Sequence, residues 1–280
     1  LINNYTANGT NYMDELINVI NFCRDYNIPT VFWNKEDPVS YDKFGPTAAM
    51  FDYVFTSDEK MISKYKKDWN IKADSLCFFC QPKIHNPEET IKRQNKAMFA
   101  GTYYEQKEER CNDFNRIMQA IEKTGIDYDI YDRCYYRELP HFKFPDRYHT
   151  KIVGCLPPED MWKAYKGYNY TINLNSVKHS PTMFARRVYE SLASGTPVIS
   201  NYSEGVITQF GGIVCASDDI DEITTYLEKI KNESVYKEAA DKGKREVLGR
   251  HTLADRLQKV CKRIGIDIKS HLPHIYMIVD

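Results

Sequence analysis

The sequence predicts an α/β protein made of two doubly wound, Rossmann-like parallel sheets. Short apolar runs rich in β-branched and aromatic residues alternate with segments of helical periodicity, a pattern typical of parallel strands covered by helices. A polar, charged run at residues 86–96 interrupts this alternation once and divides it into two series. The chain has 280 residues, 42% of them hydrophobic, which is enough to bury two modest cores.

The first series, residues 1–90, is predicted to form the N-terminal domain. It starts with a loop-like polar segment and a helix at residues 14–26. Its other predicted elements are strands at residues 28–33, 51–56 and 75–80 and a helix that begins near residue 57. The only C-x-x-C, Cys77 to Cys80, lies within the third strand and has no second pair nearby, which favours buried thiols over zinc.

The second series, residues 91–265, is predicted to form the C-terminal domain, and residues 266–280 to begin a further segment with a strand-like end at 274–280. Its predicted strands are residues 97–101, 128–132, 151–156, 170–175, 197–200 and 212–216. Its predicted helices are residues 107–124, 157–166, 181–193 and 220–231, with a further helical stretch at 235–264.

The segment from residue 180 to 200 reads as a capped helix that leads into a strand. Ser180 and Pro181 form an N-cap and first-position pair, and Gly195 ends the helix in a left-handed conformation. Because a strand end precedes the helix, its free backbone N–H groups would point to the carboxyl edge of the sheet, where ligands of such folds bind. The sequence therefore predicts an anion site at this helix start.

The side chains around this helix start suit a nucleoside diphosphate. The cations would compensate phosphate charge, and a fixed carboxylate at Glu190 would accept hydrogen bonds from a ribose diol. An ordinary intrahelical ion pair between Arg186 and Glu190 is the alternative. The residues predicted to line this nucleotide site are Gly101, Thr102, Cys155, Leu156, Lys178, Ser180, Pro181, Arg186, Arg187 and Glu190.

These residues carry a resemblance to a known group of enzymes. The run R-R-V-Y-E-S-L-A-S-G-T-P-V-I-S at 186–200 resembles the nucleotide-sugar segment of GT-B glycosyltransferases. Five motifs are similar, in the same order, to the CgeB-like branch of the group 1 glycosyl transferases. They are W-N-K-E-D-P at 33–38, F-D-Y-V-F-T-S-D at 51–58, Q-P-K-I-H-N-P at 81–87, F-A-G-T-Y-Y at 99–104 and N-S-V-K-H-S-P-T-M-F-A-R-R at 175–187.

The resemblance implies a GT-B fold, a ribose-binding role for Glu190 and a donor-facing role for residues 180–183. It also implies an active-site loop at residues 33–37. In that loop Glu36 or Asp37 is a candidate general base for an acceptor hydroxyl, and an ordinary Asp-Pro turn after the strand is the alternative; His179, beside the proposed phosphates, is a further candidate. Thr182 stands where retaining enzymes have a first glutamate, so retention and inversion both stay open. The N-terminal half lacks the expected first strand and glycine-rich loop and is predicted to be incomplete.

Other features narrow the class of protein. A net charge of −1 gives no positive electrostatic field that would attract nucleic acid. No apolar run is long enough for a membrane span. The scattered cysteines favour the cytoplasm, with the inner membrane face as a further location. No cluster has metal-ligand spacing, so no metal or cofactor is expected besides the donor. His85 is predicted to be a loop histidine, Asp132–Arg133 a surface ion pair and His251–Thr252 a structural helix start.

The resulting hypothesis is a hexosyltransferase-type enzyme that moves a sugar from a nucleoside-diphosphate sugar, with UDP as the default, to a glycan, lipid-linked or protein acceptor. One alternative is a non-catalytic nucleotide- or glycan-binding module of a larger polymer-building protein. A second is a GT-B-like sugar-nucleotide epimerase, for which the sequence offers no identifiable catalytic carboxylates.

Overall fold

The computed structural model describes residues 13–137 and 139–268 and contains two parallel sheets. The predicted polar start, most of residues 266–280 and the strand-like end lie outside the described residues. The first sheet has the order β1-β2-β3, with β1 at Val31–Asn34, β2 at Tyr53–Thr56 and β3 at Asp74–Ser75. Its helices are α1 (Met13–Asp25), α2 (Tyr41–Ala48) and α3 (Ile62–Trp69).

The second sheet has six strands in the order β6-β5-β4-β7-β8-β9, all paired in parallel. The strands are β4 (Gln94–Gly101), β5 (Asp127–Asp132), β6 (Ile152–Gly154), β7 (Tyr168–Asn173), β8 (Val198–Ser200) and β9 (Cys215–Ala216). The helices are α4 (Glu108–Thr124), α5 (Met161–Gly167), α6 (Arg187–Ala193), α7 (Glu204–Phe210), α8 (Ile220–Ile230), α9 (Glu233–Arg250) and α10 (Leu253–Ile264).

The alternation of side chains along β4 divides the core of the second sheet between its two faces. Phe99 packs in a cluster with α4 and α8, whereas Met98, its neighbour, packs on the opposite face against residues of α5. A third cluster joins α6 and α9 through apolar residues such as Leu192 and Val247. The apolar runs read from the sequence are thus buried strands covered on both faces.

Three predicted elements differ clearly in the structure. Of the predicted strand at 75–80 only Ser75 belongs to β3, and Cys80 pairs with Thr252 in an isolated bridge. The predicted helix at 181–193 begins only at Arg187. The predicted stretch at 235–264 is two helices, since Thr252 caps α10 through a capping box with Asp255. Helices α2 and α7 were not predicted.

The chain crosses between the two sheets twice, at adjacent places. The backbone of Cys80 accepts a hydrogen bond from the N–H of Leu253 and donates one to the carbonyl of His251, each 3.0 Å long. From there α10 packs on the first sheet's side, where Arg256 donates to the carbonyl of Phe78. The segment that leaves the first sheet and the one that returns to it therefore run side by side.

In the part of the chain that the structure describes, none of the helices combines the length and the apolar character needed to cross a bilayer.

Candidate functional site

The order of strands in the second sheet locates the crevice where a ligand would bind. From β4 the chain first adds β5 and β6 on one side, and then returns to add β7, β8 and β9 on the other. Such a reversal separates the loops that follow the two central strands and leaves a crevice beyond their carboxyl ends. Here the crevice lies between the ends of β4, at Gly101, and of β7, at Asn173.

Arg187 places a cation at this crevice that forms no ion pair with the residues that the structure describes. Its guanidinium carbon lies 5.6 Å from the centre of the Phe99 ring, within the range of a cation–π contact. Its Nη1 is inaccessible to solvent and has no hydrogen-bond partner among the described residues. Burial, which disfavours the charged form, lowers the pKa of Arg187. Gly101 makes room for this arrangement, because an added Cβ would lie 2.8 Å from Phe99 Cζ.

Arg110, in the first turn of α4, supplies a second cation at the same place. Its Nη1 donates to the carbonyl of Leu174, just beyond β7, at 2.9 Å and to Ser176 Oγ at 3.2 Å. Its Nε is buried without a partner. Burial, and then the neighbouring charge of Arg187, lower the pKa of Arg110 to about 10. Neither arginine forms an ion pair with a described carboxylate, so the two cations are arranged as an anion site would require.

Glu190 lies deeper on α6 and is held from two sides. Its Oε1 is 2.7 Å from Arg186 Nε and 3.8 Å from His85 Nε2. His85 Nδ1 accepts a hydrogen bond from the backbone N–H of Gln81 at 3.1 Å, which places the ring proton on Nε2, toward Glu190. The prediction for His85 was incomplete: it lies on a loop, but the loop packs this histidine against the proposed ribose carboxylate.

The predicted helix N-terminus at Ser180 was wrong. Ser180 Oγ accepts the N–H groups of Thr182 and Met183 and donates to Asp58 Oδ1 at 2.6 Å. Thr182 Oγ1 donates to the carbonyl of Ser57 and accepts from the N–H of Glu59. The segment is therefore a loop docked on the first sheet's side. Those two N–H groups are capped by Ser180 and are not free to bind phosphate. Pro181 and Met183 in the same loop are half-buried.

Lys178 does not contribute a free cation either. Its Nζ lies 2.5 Å from Asp218, 3.0 Å from Asp113 and 3.3 Å from Glu109. Burial opposes the charge of Lys178, but hydrogen bonds to Asp218 and Asp113 prevail and raise its pKa. Because carboxylates already surround the ammonium group, the predicted phosphate contact at Lys178 is replaced by a structural ion cluster.

Among the predicted catalytic residues, Asp37 is completely buried. Its carboxylate accepts hydrogen bonds from Asn34 Nδ2 at 2.7 Å, Thr56 Oγ1 at 2.6 Å and Tyr65 at 3.1 Å. Burial raises its pKa to about 6. A carboxylate without solvent-exposed surface cannot meet an acceptor hydroxyl in this conformation, so the structure corrects the proposed role of Asp37 from a base to part of a polar core.

The other predicted residues lie at the ends of the strands. Glu36 is exposed on the turn after β1, and His179 is exposed beside the ring of Tyr202. Thr102 is buried after β4, and its Oγ1 lies 3.8 Å from Cys134 Sγ. Cys155 and Leu156 are half-buried after β6. Reasoning from the sequence missed Arg110. Its one signal is its place in the first turn of α4, where a positive side chain is unfavourable beside the helix dipole unless an anion binds there.

Comparison with known proteins places this geometry in context. No curated protein sequence matches the chain. A glycosyltransferase from Rickettsia africae has a similar structure, with a TM-score of 0.60, 12% identity, and coverage of 88% of this chain and 78% of that one. Anabaena HepE, in complex with UDP and glucose, has a TM-score of 0.57 at 9% identity and coverage of 91% and 76%.

A mutant of Staphylococcus aureus TarM, in complex with fondaparinux, α-GlcNAc-glycerol and UDP, has a TM-score of 0.53 at 12% identity; the match covers 80% of this chain but only 46% of TarM. At such identities the likeness shows a shared fold alone. It confirms the predicted class of two Rossmann-like α/β units, the GT-B architecture.

The sequence itself matches a protein family described as glycosyl transferase-like over residues 109–262. This match covers more than half of the 280 residues and contains Arg110, Arg187 and Glu190. The chain therefore belongs to the glycosyl transferase-like family.

Proposed function

We propose that this protein is a hexosyltransferase-type enzyme that moves a sugar from a nucleoside-diphosphate sugar, with uridine as the default base, to a glycan, lipid-linked or protein acceptor. The observation that carries the proposal is the pair of guanidinium groups, Arg110 and Arg187, that meet at the crevice between β4 and β7 without a carboxylate partner. Unpaired buried cations are costly unless an anion binds them. A diphosphate is an anion of the right charge.

The remaining parts of the donor have candidate partners around this pair. Glu190 is fixed by Arg186 and His85 and has a second carboxylate oxygen to accept hydrogen bonds from a ribose diol. The half-buried backbone at Cys155 and Leu156, after β6, is the candidate base contact. The resemblance to the CgeB-like branch, which rests on five motifs in order, supports the same assignment.

In the proposed reaction the bond between the sugar C1 and the diphosphate oxygen breaks, and its electron pair stays on the departing phosphate. Arg110 and Arg187 would stabilise this charge in a setting where water is largely excluded, which strengthens the interaction. The acceptor hydroxyl attacks C1 and releases its proton. Glu36 and His179 are the exposed candidates for the base, since Asp37 is buried.

The test is a calorimetric screen of wild-type protein with UDP, GDP, CDP and ADP, followed by the variants R187Q and R110Q with the nucleotide that binds. Each variant is expected to weaken binding about tenfold or more, because a hydrogen bond to a charged group is lost. Arg245, exposed on α9 and distant in sequence, provides the control R245Q, which is expected to bind like the wild type. Absence of binding to all four nucleotides would refute the proposal.

A non-catalytic nucleotide-binding module is a second candidate, and the burial of Asp37 favours it, since the first sheet's expected base is not accessible. The two candidates differ in turnover. An enzyme of the proposed type is expected to release nucleoside diphosphate from its donor in the presence of acceptor, and slowly with water alone. Tight nucleotide binding with no release over many hours would favour the module.

We also propose the cytoplasm as the place of action, with association at the inner membrane face. All eight cysteines are free thiols, as expected in a reducing compartment.

A further inference from the structure

A third arginine is fixed to the same strand end as the two that face the crevice. Arg133 directly follows β5, whose last residue, Asp132, pairs with Gly101. The N–H of Arg133 donates to the carbonyl of Gly101 at 3.0 Å, and Cys134 Sγ lies 3.8 Å from Thr102 Oγ1. Two contacts thus hold the turn after β5 against the end of β4, beside the ring of Phe99 that supports Arg187.

The side chain of Arg133 is exposed, and its guanidinium has no ion pair or hydrogen bond with any residue in the described ranges. Its charge is close enough to Arg110 and Arg187 to contribute to the lowered pKa of each, after the larger effect of burial. Arg186 differs, because Glu190 compensates it. Three cations therefore gather at the end of β4, and none of them forms an ion pair with a carboxylate of the described residues.

The number of cations exceeds what the donor needs. The diphosphate of a nucleotide sugar carries about two negative charges at pH 7, whereas a free nucleoside diphosphate carries about three, because its terminal phosphate ionises again near pH 6. Arg110, anchored on Leu174, and Arg187, anchored on Phe99, match the two charges of the bound donor. The third charge appears only as the bond to the sugar breaks.

We infer that Arg133 is the leaving-group residue: its guanidinium moves from solvent onto the terminal phosphate as the nucleoside diphosphate departs. The bond between C1 and the phosphate oxygen breaks, its electron pair becomes the third negative charge, and Arg133 pairs with that oxygen. The acceptor oxygen forms the new bond to C1, and its proton leaves to a base or to water. This inference rests on the proposed function and assigns a residue that the sequence interpretation had left as a surface ion pair.

A cation that acts on the third charge affects product and donor differently. Calorimetry would compare UDP with UDP-glucose, or the corresponding pair for the base selected by the nucleotide screen. In R133Q, the affinity for the nucleoside diphosphate is expected to fall about tenfold, because one charge-assisted contact is lost, while donor affinity changes less than about twofold. R133K keeps the charge and is expected to retain most of the difference in affinity between nucleoside diphosphate and donor. In R133Q, kcat is expected to fall while the KM for the donor stays unchanged.

Arg137, exposed four residues later on the same loop, provides the matched control R137Q, in which both affinities are expected to stay unchanged. Equal losses for donor and product in R133Q, or no loss in either, would overturn the role of Arg133 and leave the proposed function standing. An effect of R137Q equal to that of R133Q would also overturn it, because loop charge alone would then be the cause. Failure of the wild type to bind any nucleotide would overturn both proposals.

Discussion

The Nε of Arg186 lies 2.7 Å from Oε1 of Glu190, and the exposures of the two side chains are unequal, at 60% and 8%. The arginine can leave the pair at little cost, because an i,i+4 ion pair on a helix contributes only about 0.3–0.5 kcal/mol. The carboxylate, by contrast, is fixed in the protein interior. The pair therefore places a buried acceptor beside an exposed donor, which suits the proposed contact of Glu190 with a ribose.

We expect Glu190→Ala to weaken nucleotide binding about 10- to 100-fold, because a charged acceptor is removed from the ribose contact. Isothermal titration with the nucleotide selected by the screen measures this directly. Glu238→Ala removes an exposed carboxylate from another i,i+4 pair and is the control. Unchanged affinity in a folded Glu190→Ala protein would exclude the ribose role.

Asp37→Asn is expected to change how stability depends on pH. The pKa of Asp37 is raised from 3.8 to about 6, so its contribution to stability is fully present below pH 4 and is lost as pH rises through 6. Ionising this buried carboxylate costs about 3 kcal/mol, the equivalent of the shift. The variant cannot ionise, and its stability relative to wild type should therefore rise by about that amount between pH 4 and pH 8.

Urea unfolding of the wild type and of Asp37→Asn at pH 4, 5, 6, 7 and 8 gives the difference between their free energies of unfolding. The contributions of other titrating groups cancel in this difference. Asp42→Asn, at an exposed carboxylate, should show no such trend. A flat difference for Asp37→Asn would contradict the buried-acid assignment. Donor turnover of Asp37→Asn tests the prediction that Asp37 is the catalytic base. We expect this variant to keep its turnover, because Asp37 is buried.

Lys178→Met separates a structural from a ligand-binding role. Asp113, only 1% exposed, would lose one of its two cationic partners but would keep the ion pair with Arg116 and the hydrogen bond from Asn201. We expect a loss of about 2–3 kcal/mol in the free energy of unfolding, at or below the low end for breaking a buried pair.

Chemical denaturation gives the stability of Lys178→Met, and titration gives its nucleotide affinity, which should stay near that of the wild type. Lys123→Met breaks an exposed pair with Asp221 and should cost less than about 1 kcal/mol. A large loss of affinity in a stable Lys178→Met protein would restore the phosphate role predicted from the sequence.

Gly101→Ala should disturb stability and nucleotide binding together. The added methyl group would lie 2.8 Å from Phe99 Cζ, so the buried ring must move, and Arg187 packs against that ring. Overpacking of this kind costs about 1–3 kcal/mol. In Gly249→Ala the methyl group meets no atom within 4 Å, so a helix glycine is replaced at no steric cost.

Thermal unfolding and nucleotide titration are measured on both glycine variants. We expect Gly249→Ala to be neutral or more stable by up to about 1 kcal/mol, the helix preference of alanine over glycine. Wild-type behaviour of Gly101→Ala in both measurements would show that the Phe99 ring does not determine the position of Arg187.

The elements that local patterns determine were predictable from the sequence. The strands at β4, β5 and β7 follow from apolar runs, and Gly195 ends α6 with a φ of +74°, as predicted. Local signals were misleading where distant residues decide the conformation. Ser180 looks like a helix cap, but Asp58 and Ser57 engage the loop that contains it. Nothing near residue 180 in the sequence carries that information.

The site was predictable in kind but only partly in its members. A basic segment next to a strand end and Glu190 directed attention to the edge of the sheet at which the structure places Arg110 and Arg187. Whether a cation is free, however, depends on what surrounds it in space. Lys178 is compensated by three carboxylates, whereas Arg110, in a helix that reads as an ordinary charged surface, is not. Spatial compensation of charge is not visible in a single sequence.

The adjacent crossings at Cys80 and Thr252 limit how the two sheets can move. Because both connections pass through one backbone bridge, we expect any rotation of one sheet against the other to have its axis near that bridge, since translation would break it. Rotation would separate the hydroxyls of Ser180 and Thr182 from the turn that contains Ser57 and Asp58. These hydrogen bonds would resist that rotation, and we expect entry of the proposed donor to depend on how often they break.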